Sequence, residues 1–233
     1  TSGGKLAFGI KENNWLGEGK SLGLDVNISE ESLIGFLRYS DPNYDFLGNS
    51  INYSVASEKN DKPNQGYENS VLSAGIGTSF EQYKNVRVTL GANASYDDLK
   101  TDSSASTSLK KQEGSFSELA ANYGFNYDLR DRAFMPTSGS ITTFSQSLPV
   151  YADKKFIANT FTRSMYKSLN ENVVGSAKFY LSAINGIGAD DVRLSKRKNI
   201  SERRLRGFEP GKVGPVDGTD HIGGNYAAAI NLE

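Results

Sequence analysis

The chain has 233 residues and a net charge of −1, with 24 Gly, 12 Tyr, 12 Phe, no Cys and a single His. A net charge this close to zero gives no indication of nucleic-acid binding. The absence of Cys excludes disulfides and thiol chemistry, and a single histidine, His221, excludes multi-histidine metal sites. No apolar run approaches the roughly 20 residues that a membrane-spanning helix requires. Abundant Gly and Tyr favour strands and turns, so we expect an all-β chain.

Apolar and polar residues alternate along most of the chain, which is the signature of strands with two different faces. One face is rich in Leu, Val, Ile, Tyr and Phe, and the other in Gly, Ser, Asn, Arg and Lys. We predict eleven strands, of which the eighth and ninth alternate poorly, at about residues 5–11, 21–29, 33–40, 51–57, 72–80, 86–96, 119–129, 140–148, 156–166, 173–182 and 225–233.

The predicted connections differ between the two ends of the strands. Those after odd-numbered strands are compact turns, whereas those after even-numbered strands include polar loops at 58–69 and 97–114 and the long segment 185–223. Short turns at one end and long loops at the other are typical of membrane-spanning barrels. The predicted fold is therefore an all-β, transmembrane antiparallel β-barrel, with Tyr and Phe near strand ends forming interfacial girdles.

The long segment contains Leu205-Arg206-Gly207-Phe208, then Gly- and Pro-rich residues, and then Gly223-Gly224-Asn225 at the start of the last strand. This order resembles the outer-membrane insertase superfamily of BamA-type proteins, in which an Arg-Gly-Phe loop folds back into the barrel lumen. The family's usual residue before the Arg is Val, so Leu205 is a departure. The turns at 14–17, 41–44 and 128–139 also resemble the family's periplasmic turns.

The resemblance implies that residues 1–233 form part of a barrel, from its second to its twelfth strand, or about eleven of sixteen strands. Residues 185–223 would form a plug in the lumen. The chain starts without a leader peptide and ends inside a predicted strand, which would leave an exposed sheet edge. We therefore interpret the sequence as a fragment of a longer protein.

Arg206 is the main candidate site residue. In the family, the motif Arg pairs with a lumen-facing Glu at the end of the Gly-Gly-Asn strand, and Glu233 occupies that position. The alternation independently places Glu233 on the polar face. An unpaired buried charge costs several kcal/mol, so we expect a buried Arg206–Glu233 pair. Gly207 would provide a tight turn and Phe208 an apolar anchor. In the alternative interpretation, Arg206 belongs to a solvated basic patch on an external loop.

The resemblance implies a protein of the bacterial outer membrane that folds and inserts other barrel proteins without chemical catalysis. Expected partners are unfolded outer-membrane client proteins, accessory assembly lipoproteins and the lipid bilayer, with no nucleic acid, cofactor or metal. The acidic residues of the long segment are interpreted as solvated loop carboxylates rather than a calcium site: Asp190, Asp191, Asp217 and Asp220.

Four other functions remain open at this stage. A two-partner secretion transporter that passes polypeptides and a translocation-and-assembly barrel belong to the same superfamily. A diffusion porin has no need of an Arg-Gly-Phe plug. A barrel hydrolase usually needs a Ser and His pair near the rim, for which His221 alone is poor support.

Overall fold

The computed structural model describes residues 4–209 and 211–233, so residues 1–3 and Pro210 of the predicted barrel and loop lie outside the described residues. The strands in chain order are β1 (Lys5–Trp15), β2 (Lys20–Ser29), β3 (Ser32–Asp41), β4 (Ser50–Lys62), β5 (Tyr67–Tyr83), β6 (Val86–Thr101), β7 (Gly114–Asp128), β8 (Ser138–Ala152), β9 (Phe156–Asn170), β10 (Val173–Gly186), β11 (Val216–Asp217), β12 (Asp220–His221) and β13 (Tyr226–Leu232). All except β11 and β12 form one 11-stranded antiparallel sheet, in which β13 pairs with β10. The predicted all-β transmembrane barrel fold is confirmed.

Short helical segments occur only in connections of the described chain. They are a 3₁₀ turn at Pro63–Gln65, the helix α1 at Thr107–Lys110 and a 3₁₀ turn at Leu194–Lys196. Within residues 4–209 and 211–233, none of these helices has the length and apolar character to cross a membrane.

The cross-strand register gives the sheet one apolar face and one polar face. Directly paired residues share a face, and neighbours along a strand lie on opposite faces. A row on the apolar face consists of Phe80, Val88, Phe125, Phe144, Phe161, Leu181 and Ala228. The adjacent row on the polar face consists of Ser50, Ser79, Thr89, Gly124, Ser145, Thr160, Ser182 and Ala227. This division suits a barrel wall between lipid and a polar lumen.

β8 and β9 take part in both rows although their sequences alternate poorly. The weak alternation has a simple cause, because the register places Gln146, Asn159 and Arg163 on the apolar face. Gln146 pairs directly with Asn159, so the two polar residues are adjacent in space. The backbone hydrogen bonds between β8 and β9 therefore continue where the apolar face carries polar side chains. Alternation in the sequence cannot reveal the strands at this place.

The two ends of the sheet differ less than the sequence indicates. The turn end has connections 16–19, 42–49, 84–85, 129–137 and 171–172, and the loop end has 30–31, 63–66, 102–113, 153–155 and 187–225. The predicted loop 58–69 is wrong, because β4 and β5 continue to a tight turn at 63–66. β6 and β7 likewise shorten the predicted loop 97–114 to residues 102–113. Backbone pairing needs no apolar alternation, so polar residues extend these strands past the apolar band.

The buried core lies at the loop end, between the polar face and residues 187–225, which we call the long loop. One cluster contains Tyr67, Leu99, Ala105, Leu109 and Leu194, with Phe116 and Ile222 packed against it. A second contains Phe156, Ile184 and Val192, with Ala158 packed against it. The long loop supplies Val192, Leu194 and Ile222. Each such side chain contributes about 1.5–3 kcal/mol when fully buried, so the loop is held by packing as well as by its ends.

Candidate functional site

An ionic cluster fixes the start of the long loop to the sheet. The Arg193 side chain is only 4% exposed, and its Nη2 donates to Glu118 Oε2 at 3.1 Å. Its Nη1 lies 3.6 Å from Asp97 Oδ2. The guanidinium carbon lies 4.8 Å from the ring centroid of Phe116 and 5.8 Å from that of Phe156. Two aromatic rings and two carboxylates therefore enclose this cation, which combines cation–π and ionic stabilisation.

The two carboxylates of this cluster have further partners. Asp97 accepts hydrogen bonds from Asn69 Nδ2 at 2.9 Å and from Ser195 Oγ at 2.6 Å. Lys196 Nζ lies 3.0 Å from Glu118 Oε2, so two cations balance two anions. Burial lowers the pKa of Arg193, while the nearby carboxylates oppose that shift. Breaking such a buried pair leaves an uncompensated charge, which makes the cluster intolerant of single substitutions.

Arg193 reaches this position because its own backbone is extended where the chain enters a 3₁₀ turn. Its backbone has φ −56° and ψ 147°, and it directly precedes the 3₁₀ turn Leu194–Lys196. Val192 and Leu194 consequently enter the two separate hydrophobic clusters while Arg193 lies between them. Leu194 N also donates to Gln112 Oε1 at 3.0 Å, which ties the loop to the β6–β7 connection.

The later part of the long loop contacts two neighbouring connections at the loop end. The Asp217 carboxylate accepts hydrogen bonds from Ser106, at 3.0 Å, and from Ser108. Asp220 is buried beside the β4–β5 turn, where a Cβ added to Gly66 would lie 2.6 Å from the Asp220 Cγ atom. Gly66 has a φ of 69°, so both its conformation and the close approach require glycine.

The tip of the long loop, Leu205-Arg206-Gly207-Phe208, behaves differently from its base. Arg206 Nη2 lies 3.6 Å from Glu233 Oε1, so the structure brings these two predicted residues together. The expected burial is wrong, because the Arg206 side chain is 83% exposed and that of Glu233 is 48% exposed. Phe208 is 57% exposed and does not act as an apolar anchor. Gly207 has a φ of 85° and therefore provides the predicted turn conformation.

Contacts on either side of Arg206 place the tip against the polar face. The guanidinium carbon of Arg204 lies 3.7 Å from the ring centroid of Tyr180 in β10. Arg204 O accepts a hydrogen bond from Asn231 Nδ2 at 2.8 Å. Glu233 also pairs with Lys178 at 2.6 Å. The long loop thus runs from the loop end down to the middle of β10, which argues against a basic patch outside the barrel.

Gly223-Gly224-Asn225 precedes the last strand rather than opening it. β13 begins at Tyr226, and Gly223 has a φ of 67°. Gly224 N donates to Lys198 O at 3.0 Å, and Lys198 N donates to Gly224 O at 2.7 Å. Asn225 O accepts from Ile184 N at 2.7 Å. These residues therefore join the long loop to β10 and set the register in which β13 starts.

Three of the four acidic residues singled out in the long loop have individual partners: Asp190, Asp191 and Asp217. Asp190 accepts from Lys155 N at 3.0 Å, and Asp191 lies 3.3 Å from Arg197 Nη2. Asp220 is buried, so the expectation that all four carboxylates are solvated is wrong. No group of three or more His, Asp or Glu residues that could hold a metal ion occurs in residues 4–209 and 211–233.

Sequence reasoning missed the ionic cluster and found only the tip. The sequence places Asp97 in a predicted polar loop and Glu118 before the predicted seventh strand, so neither is expected to face Arg193. A signal was present in Val192-Arg193-Leu194, where one cation is flanked by apolar residues. Such a pattern in a loop indicates packing against another surface, but it does not identify the acidic partners.

Comparison with known proteins agrees with this architecture. The family model described as the Omp85 superfamily domain matches residues 14–233. A SAM50-like protein of Schizosaccharomyces pombe is 26% identical over 135 residues, which cover 55% of this chain and 28% of that protein. The outer membrane protein assembly factor BamA of Neisseria meningitidis serogroup B is 23% identical, over 98% of this chain and 32% of its own length. The chain thus spans about a third of the length of these relatives.

The crystal structure of BamA from Haemophilus ducreyi lacking POTRA domains 1–3 has the same fold. It matches with a TM-score of 0.86 and 25% identity, and the match covers 100% of this chain and 50% of that chain. The BamA matches and the barrel-type sheet indicate the bacterial outer membrane as its location. Because the family model covers nearly all of its length, the chain belongs to the Omp85 superfamily.

Proposed function

We propose that the protein to which this chain belongs assembles β-barrel proteins and inserts them into the bacterial outer membrane. The observation that carries the proposal is the long loop, which is locked to the polar face by Arg193 and reaches Glu233 at its tip. A loop held in this way braces the wall from inside while the barrel opens elsewhere. Residues 1–233 would be the second to twelfth strands of the whole barrel, and the long loop would be its lumen plug.

The proposed mechanism breaks and forms no covalent bond. An incoming client strand would pair with an opened edge of the barrel through backbone hydrogen bonds, which is β-augmentation. The chain would therefore act as an assembly factor rather than as an enzyme, and the meningococcal relative carries that name. Its proposed partners are unfolded outer-membrane proteins, accessory assembly lipoproteins and the lipid bilayer.

Reconstitution of the full-length protein in liposomes would test this proposal. We expect an unfolded client barrel to fold at least about tenfold faster with the protein than in protein-free liposomes, a difference of about 1.4 kcal/mol in the barrier. Arg193→Gln is expected to lose most of this acceleration. Arg87→Gln is a matched control, because Arg87 lies exposed on the polar face of β6, the strand that carries Asp97.

Equal client folding with and without the protein would contradict the proposal. The other superfamily functions predict a different result in the same liposomes. A two-partner secretion transporter would move an unfolded polypeptide across the bilayer and protect it from external protease without inserting it. A translocation-and-assembly barrel would accelerate only a restricted class of clients.

A further inference from the structure

Arg204 lies two residues before Arg206 and contacts two strands of the sheet at once. Its guanidinium carbon lies 3.7 Å from the ring centroid of Tyr180 in β10. Its carbonyl oxygen accepts a hydrogen bond from Asn231 Nδ2 of β13 at 2.8 Å. The register places Tyr180 opposite Ala229, two residues from Asn231 and on the same face. A single residue of the long loop therefore bridges β10 and β13 on their polar face.

The distance between Arg204 and Tyr180 is that of a guanidinium stacked on a ring. Within the described residues the other cation–π contacts are longer, and the shortest of them are 4.8 Å. A guanidinium is planar and lies flat on an aromatic ring, whereas a lysine ammonium is a compact point charge. Arg204 and Tyr180 are both half-buried, so water screens the contact only in part.

A turn within the loop directs Arg204 towards this ring. Ser201 O accepts hydrogen bonds from Arg204 N at 2.9 Å and from Leu205 N at 3.0 Å. Ser201 Oγ accepts a further hydrogen bond from Arg204 Nη1 at 3.2 Å. The guanidinium is thus held from the loop side as well, which reduces the side-chain entropy that the stack costs.

The ion pair of the tip is a weaker attachment than Arg204. Arg206 Nη2 lies 3.6 Å from Glu233 Oε1, and most of the Arg206 side chain is exposed. Glu233 makes a shorter contact, at 2.6 Å, with Lys178. Because a solvent-exposed ion pair contributes little, Arg206 does not account for the position of the tip.

We infer that Arg204 is the positioning residue that holds the tip on the wall, with the Tyr180 ring and the Asn231 amide as its partners. The attachment is reversible, because a half-exposed cation–π contact and one neutral hydrogen bond are each weak. The tip therefore leaves the wall and returns while Arg193 keeps the base in place. The effect of this attachment on client folding rests on the proposed function.

Hydrogen exchange of the full-length protein in nanodiscs, followed by mass spectrometry, measures how often the tip opens. We expect Arg204→Met to raise the exchange rate of residues 201–208 about threefold, as suits the loss of one cation–π contact. Residues 190–198 at the base should exchange as in the unchanged protein. Arg203→Met is the matched control, because Arg203 is a neighbouring exposed cation with no ion pair or hydrogen bond among the described residues.

Variants of Tyr180 test whether its ring is the partner. Tyr180→Leu should raise the exchange of the tip as much as Arg204→Met does, and the double variant should go no further, because both changes remove one contact. Tyr180→Phe keeps the ring and should leave the exchange of the tip unchanged. Arg204→Lys keeps the charge without the planar stack and should lie in between. Heat-sensitive gel migration first shows that each variant is a folded barrel.

Client folding in liposomes shows whether the attachment matters for assembly. We expect Arg204→Met and Tyr180→Leu to slow client folding about threefold, in step with the opening of the tip. Arg203→Met should fold the client as fast as the unchanged protein does.

Three results would overturn the inference. The first is unchanged exchange of the tip in folded Arg204→Met, and the second is additive effects of Arg204→Met and Tyr180→Leu. The third is equal client folding by Arg204→Met and by an unchanged protein that does accelerate folding. If the unchanged protein does not accelerate client folding, the proposed function fails instead, and hydrogen exchange alone decides whether Arg204 holds the tip.

Discussion

The base and the tip of the long loop use the same residue type in opposite ways. At the base, Arg193 is almost completely buried between two carboxylates and two aromatic rings. At the tip, Arg206 contacts one carboxylate at 3.6 Å and remains largely in water. A buried ion pair depends strongly on each partner, whereas a solvent-exposed pair contributes little because water and salt screen it.

This difference indicates that the loop is fixed at one end and adjustable at the other. The base is held by ionic, aromatic and apolar contacts, and the loss of any one of them is costly because the others are buried around it. The tip has hydrogen bonds and an ion pair that water can replace at low cost, as Arg204 and Arg206 lie on the open polar face. A brace that must stay attached while the wall changes shape benefits from this division.

The largest predicted effect is at the base. Arg193→Met leaves Asp97 and Glu118 without their shared cation, and we expect it to lower the free energy of unfolding by about 3–5 kcal/mol. Arg206→Met at the tip is the matched control and should change it far less. Urea titration of the full-length protein in detergent, followed by tryptophan fluorescence, measures both. Equal losses for the two variants would remove the distinction between base and tip.

A smaller effect is predicted for the apolar contacts of the base. Leu194 is 3% exposed, so Leu194→Ala should create a cavity and cost about 2–5 kcal/mol. Phe208→Ala removes a larger side chain from the exposed tip and should cost less than Leu194→Ala. Thermal unfolding of the two variants side by side decides the order. A larger loss for Phe208→Ala would show that the tip is packed after all.

The contrast between base and tip also explains what sequence could and could not predict. Arg206 and Glu233 could be found because a contiguous motif and a strand position both point to them. The Arg193 partners lie 75 and 96 positions away in the chain, on strands whose register no local pattern specifies. Their charges look like those of any solvated residue until the fold brings them under the loop.

The strands show the same limit. Alternation predicts β2 and the middle parts of β5 and β7 well, because each has one consistently apolar side there. It fails in β8 and β9, where Gln146 and Asn159 occupy the apolar face and satisfy each other there. It also stops too early in β4, whose polar end continues to pair with β5 as far as Lys62. The alternation of apolar and polar residues shows where a strand lies between apolar and polar surroundings. It does not show where the strand begins and ends.

Glycine substitutions compare the tip with the β4–β5 turn, which packs against the later part of the long loop. Gly66 and Gly207 both have positive φ, so alanine strains either by about 1–2 kcal/mol. At Gly66 the new Cβ would also meet the Asp220 carboxylate at 2.6 Å, whereas nothing lies within 4 Å at Gly207. Gly66→Ala should therefore destabilise more than Gly207→Ala in urea unfolding. Equal effects would mean that Asp220 moves aside freely.

The smallest predicted effect is a pH dependence of the outer contacts of the loop. Hydrogen bonds from Ser108 and then Ser106 lower the pKa of Asp217 below its usual value of about 3.9. A depressed folded-state pKa stabilises the fold fully above the unfolded pKa, and this contribution is lost as the pH falls through the folded pKa.

Asp217→Asn should therefore reduce stability at pH 7, and its difference from the unchanged protein should shrink steadily below about pH 4. Unfolding curves at intervals between pH 7 and pH 3 measure this difference. Asp191→Asn is the control, because Asp191 is an exposed loop carboxylate whose contact with Arg197 is screened by water. If the stability difference between Asp217→Asn and the unchanged protein stays constant over this pH range, the effect comes from the altered side-chain shape and not from the carboxylate charge.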